Sequence, residues 1–90
     1  MILIKADGTI EDYNDKSLEG MQKAVGGHIE MIGTKDGRTM ILNEEGKLLG
    51  LPFNPKATKI AHLFGNDFIV GDVIVARNEE IEEDDWEEEE

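Results

Sequence analysis

Apolar residues along this 90-residue chain change their spacing several times, and each change marks an element. Ile2, Leu3 and Ile4 form a short apolar run, Asp7-Gly8 supplies a hairpin turn, and residues 9–13 continue as a second strand. Leu18, Met21 and Val25 then recur at i, i+3 and i+7, on one face of a short helix. Asn14-Asp15 offers its N-cap, Ser17 falls in its first turn, and Gly26-Gly27 ends it.

Residues 28–34 read as a strand with Ile29 and Met31 on one face and Ile32 on the other. Asp36-Gly37 is the strongest hairpin signal in the chain, and residues 38–43 return as the partner strand. After a turn at Glu45-Gly46, residues 47–49 are expected to pair at the sheet edge. Gly50-Leu51-Pro52-Phe53 has no period and reads as loop. Asn54-Pro55 begins a second helix, with Asn at the N-cap and Pro at the first helical position. Ala57, Ile60, Ala61 and Phe64 trace its apolar face, and Gly65 takes the C′ position. Residues 67–77 form a last, β-rich element that Gly71 interrupts with a bulge or tight turn. This order predicts an α+β domain: a mostly antiparallel sheet of five or six strands, with two short helices packed on one face.

Ninety residues fit one domain. A chain this short buries only about 60–65% of its unfolded surface, so a homo-oligomer is expected. The absence of cysteine excludes disulfides and thiolate chemistry. The N-terminus lacks the apolar stretch of a signal peptide, and no apolar run approaches the ~18–20 residues that span a bilayer. A cytoplasmic protein without membrane contact is the expectation.

The formal charge of −12 is concentrated at one end. Residues 79–90 hold ten acids and no base, interrupted only by Ile81 and Trp86. Subtracting those ten from 21 acids leaves eleven against nine bases in residues 1–78, a net of −2. The chain therefore divides into a nearly neutral body, 1–78, and an acidic tail, 79–90, expected to be disordered in isolation.

No set of residues points to catalysis. Ser17 is the only serine, and His28 and His62 are far apart and outside any metal-ligand spacing. No segment matches a calcium-binding loop. An enzyme, a metal site and a cofactor are not expected. The segment with the most chemical content runs from Lys47 to Thr58. A helix N-terminus presents unpaired N–H groups and partial positive charge. Here its first turn carries Lys56 and Thr58 and no acid. Asn54 would help position phosphates, Lys47 and Lys56 would supply charge, and Phe53 would stack on a base. Arg38 and Arg77 are further candidates. The same residues also describe a plain capped helix after an edge turn. Direct nucleic-acid binding is not expected, because the body has no basic stripe and the tail repels phosphates.

Four stretches carry a family resemblance: Gly26-Gly27-His28-Ile29-Glu30, Asn43-Glu44-Glu45-Gly46-Lys47-Leu48, residues 50–58, and Ile69-Val70-Gly71-Asp72-Val73. Over residues 1 to about 76 the chain resembles a family of small phage and mobile-element proteins, a domain of unknown function. The acidic tail departs from that pattern. The resemblance implies a setting in an infected bacterial host and no residue-by-residue activity. Small proteins of that setting often counter host defence, several as oligomers that sequester cyclic or other nucleotide signals. The leading expectation is a non-catalytic counter-defence or host-takeover protein that binds a nucleotide-type molecule. The alternative is an inhibitor of a host protein, acting through the acidic tail or an acidic surface by nucleic-acid mimicry.

Overall fold

In a computed structural model, residues 1–63, 65 and 67–81 are described. Five strands, β1 (Ile2–Ile4), β2 (Ile10–Asp12), β3 (Ile29–Gly33), β4 (Thr39–Asn43) and β5 (Val73–Ala76), form one antiparallel sheet in the order β2-β1-β5-β4-β3. Two sequence-local hairpins, β1–β2 and β3–β4, lie at either side. The last strand inserts between them, so the most apolar strand, Val73-Ile74-Val75-Ala76, occupies the centre with all four residues buried. Two-sided burial explains why it reads as a continuous apolar run. Residues 47–49, expected at the sheet edge, form turns instead. Among the described residues, no helix is long and apolar enough to cross a membrane.

Pairing register divides the sheet side chains into two faces. Leu3, Ile41, Ile74 and Ala76 share one face, and helix α1 (Leu18–Val25) covers it with Met21. Ile4, Met40, Leu42, Val73 and Val75 share the other, beneath Ala57 and Ala61 of the α2 region, with α2 at Pro55–Ile60. The helices thus lie on opposite faces, which corrects the expectation of a single covered face. Both faces of β4 and β5 are apolar, and each needs its own cover.

Local chemistry sets the helix ends. Ser17, not Asn14-Asp15, is the α1 N-cap: its hydroxyl accepts from Gly20 N–H at 2.9 Å. Asp15 Oδ1 accepts from the Ser17 N–H and hydroxyl and braces that cap. Gly26 closes α1 with φ +84°, a left-handed conformation that glycine adopts without a Cβ clash. Helix α2 stops at Ile60, short of the expected face through Phe64, which lies outside the described residues. After it the chain turns extended: Lys35 N–H donates to Ile60 C=O at 2.8 Å and His62 N–H donates to Gly33 C=O at 3.0 Å.

The body extends past the expected boundary at residue 78. Asn78–Glu80 form a 3-10 turn, and Ile81, like Met1 and Tyr13, packs against the cluster of Leu3, Met21, Ile41, Ile74 and Ala76. Glu80 Oε2 accepts from the Met1 ammonium at 3.1 Å, and its Oε1 accepts from Arg77 N–H at 2.9 Å. These bonds hold the Glu80 carboxyl below the usual range, the Arg77 amide more than the ammonium. Glu80 and Ile81 are therefore tied to the folded body. The rest of the acidic tail, residues 82–90 with Trp86, lies outside the described residues.

Candidate functional site

The Lys47–Thr58 segment divides into parts that serve the fold and parts that face solvent. Asn54 is fully buried. Its Oδ1 accepts from Ala57 N–H at 3.0 Å, capping α2, while Nδ2 donates to Ile4 C=O at 3.0 Å and Gly71 C=O at 2.8 Å. With both amide hydrogens and the cap engaged, this side chain has nothing to offer a phosphate. Its assignment as a ligand residue is corrected on that ground. Thr58 is similarly committed: its hydroxyl donates to Asn54 C=O at 2.8 Å and accepts from Ile69 N–H at 2.9 Å. Lys56 Nζ donates to Gly8 C=O at 2.6 Å, fastening α2 to the β1–β2 turn.

Around this knot the chain pairs with itself. Asn54 N–H donates to Ile69 C=O, Gly71 N–H donates to Pro52 C=O, and Phe53 bridges Val70. Gly71 has φ +77°, and a Cβ there would lie 2.8 Å from Leu51 Cδ1, so the crossing demands glycine. The Leu-Pro-Phe-Asn motif therefore docks residues 51–54 against 69–71, which the sequence shows only as a loop and a separate β-rich stretch.

Lys47 and Phe53 remain near an open site. A groove of about 450 Å³ lies between the end of β3–β4, the turns at 44–50, Leu63 and residues 67–70. Its floor is apolar, made by Ile32, Leu42, Leu63, Ile69 and Val70; its exposed rim carries Glu30, Glu44, Glu45, Asp67 and Lys47, with Phe68 at the lip. Lys47 Nζ binds Asp67 Oδ1 and lies 4.6 Å from the Phe68 ring centroid. Phe53 meets Phe68 edge-on with centroids 6.0 Å apart. The Lys47 ammonium, then the Phe68 N–H, hold the Asp67 carboxyl below its ordinary range.

Four carboxylates against one lysine give this lining a formal charge of −3. A phosphate entering here would meet a rim of like net charge, its one cation already paired with Asp67. A basic side chain would be attracted, and its aliphatic stem would cover the apolar floor.

Arg38 and Arg77 lie elsewhere, one position beyond the Thr39–Ala76 pair of β4 and β5. They flank a shallow depression of about 280 Å³ with Met1, Ile2, Asp12, Val75 and Glu80. Asp36 Oδ2 accepts from Arg38 Nε at 2.8 Å and lies 2.8 Å from Nη2. Arg77 Nε is 3.6 Å from Glu79 and 3.7 Å from Glu80. The seven sequence candidates thus occupy separate places: groove, buried knot, β1–β2 turn and depression. Sequence reasoning missed Glu30, Glu44, Glu45, Asp67 and Phe68. The available signal was an exposed aromatic beside an acid in an otherwise apolar stretch. No group of three or more His, Cys, Asp or Glu among the described residues could hold a metal ion.

A family model described as a domain of unknown function, DUF3846, matches residues 1–89. The match includes the acidic run, beyond the point where the resemblance was expected to end. No curated protein and no solved structure matches the chain.

Proposed function

The chain belongs to the DUF3846 family, and we propose that it is a non-catalytic binding protein whose groove receives a basic, partly apolar segment of a protein partner. One observation carries this reading: an apolar floor ringed by four carboxylates, whose single lysine is already bound to Asp67. Electrostatic complementarity of this kind steers encounter and selects partners by sign. The phage and mobile-element resemblance supplies the setting, a counter-defence or host-takeover protein that inhibits a host protein through its acidic surface.

Nucleotide capture is the second reading, and the observation in its favour is the depression shared by Arg38 and Arg77. Planar guanidinium groups suit phosphate oxygens.

A titration separates the two. Blocked peptides alternating lysine with valine, and glutamate with valine, are titrated into the full chain and into a Glu44→Lys/Glu45→Lys variant. Binding of the lysine peptide, weakened at least tenfold by the variant and by raised salt, supports the groove reading. Equal binding of both peptides, or none, overturns it. In parallel, a nucleotide at 100 times its dissociation constant would add ~2.7 kcal/mol of stability. Such a shift, lost in Arg38→Ala/Arg77→Ala, would put the second reading first.

A further inference from the structure

We propose that the partner segment joins the sheet as an added strand on the outer edge of β3. This rests on the binding role given to the groove and specifies how the segment is held.

Antiparallel pairing alternates between residues whose main-chain groups bond across the pair and residues whose groups point away. Along residues 28–34, Thr34 N–H donates to Arg38 C=O at 3.0 Å, and Glu44 N–H donates to His28 C=O at 2.9 Å. Even-numbered residues therefore bond β4, and Ile29, Met31 and Gly33 direct their main-chain groups outward. At one end this edge already holds an extended segment. Gly33 C=O accepts from His62, Lys35 N–H donates to Ile60, and Thr34 bridges Ala61. The chain then leaves the edge, and Leu63 lines the groove. Ile29 and Met31 extend the same edge beyond that point on the last strand of the sheet.

The opposite edge, β2, has three exposed residues, two of them acids, a common protection against strand pairing. By contrast, β3 has five residues including Ile29, Met31 and Ile32. Residues facing each other across two strands point to the same sheet face. An added strand therefore directs the residues opposite Glu30 and Ile32 into the groove, and those opposite Ile29 and Met31 to the α1 face. An extended segment alternating basic and apolar residues satisfies both: its basic heads meet Glu30, Glu44 and Glu45, and its apolar residues extend the Met31 side. Main-chain bonds supply affinity and alternate side chains supply selectivity, as in other strand-addition complexes. A second copy of this chain fits less well, because pairing two β3 edges brings two acidic rims together.

The probe is the blocked lysine–valine peptide and two N-methylated forms, one methylated on every valine nitrogen and one on every lysine nitrogen. Valine amides opposite Ile29 and Met31 are the ones that face β3. Valine methylation is expected to weaken binding at least tenfold and lysine methylation less than threefold, while the parent peptide slows amide exchange at Ile29 and Met31. Equal binding of all three peptides overturns strand addition. The groove reading survives that result if Glu44→Lys/Glu45→Lys still weakens the parent. Absence of charge-dependent binding overturns both. A dimer that the peptide does not dissociate, with Ile29 and Met31 amides protected without peptide, assigns the edge to a second copy and overturns the proposal.

Discussion

Asn54 Nδ2 donates to Ile4 C=O across 3.0 Å and fifty positions of sequence, joining the N-terminus of α2 to the end of β1. The same carboxamide caps α2 and holds Gly71 C=O. Replacing Asn54 with alanine removes a helix cap and leaves two carbonyls without their donor in a buried site. The expected loss is about 2–4 kcal/mol, the sum of a cap and unsatisfied buried groups. Urea denaturation measures it, and a loss under about 1 kcal/mol would show that the surroundings relax around the gap. This role was only half legible beforehand. Asn54-Pro55 announces a helix start, but nothing local says that the cap will be buried against β1.

Lys47 distinguishes the two binding readings by whether its charge is felt at all. If its charge offsets part of the acidic rim, Lys47→Gln makes the groove more negative and strengthens binding of the lysine–valine peptide several-fold. Nucleotide capture at the Arg38–Arg77 depression leaves Lys47 outside the site and requires unchanged nucleotide binding and no gain with the peptide. Fluorescence anisotropy with each labelled probe reads both outcomes.

Asp36 sets a pH dependence. A hydrogen bond from Arg38, then one from the Thr34 hydroxyl, lowers its carboxyl from 3.8 to about 2. A folded-state value below the unfolded one gives stability that is fully present above pH ~4 and lost as pH falls toward ~2. Asp36→Asn is expected to be less stable at pH 7 and to lose less than the parent between pH 4 and 2. Parallel falls in the two proteins, followed by urea midpoints, would show that this carboxylate does not couple folding to protonation.

Two truncations test where the body ends. Cutting after Asn78 removes the Glu80 partner of the Met1 ammonium and the half-buried Ile81 side chain. Relative to a chain ending at Ile81, the shorter one is expected to be about 1–2 kcal/mol less stable, the scale of one partly buried aliphatic residue. Equal thermal midpoints would place the boundary back at residue 78.

The sequence alone determined whatever depends on neighbours within a few positions. Alternation and glycine turns marked β1, β2 and the β3–β4 hairpin, the 3.6-residue spacing marked Met21 and Val25 on α1, and Asn-Pro marked the start of α2. These are local signals, because strand pleat, helix pitch and turn conformation are local geometry. Tertiary structure decided what depends on long-range pairing. It inserted β5 between β1 and β4, set the two helices on opposite faces, and folded Glu80 back onto Met1 and Ile81 onto the α1-covered core. It also divided the candidate site. Asn54 and Thr58 were committed to the interior and Lys47 was given to Asp67, while Glu30, Glu44 and Glu45 gathered around one groove. A side chain's charge is written in the sequence, but its nearest countercharge is a property of the folded surface, and that decides whether a lysine attracts a phosphate or merely balances an aspartate.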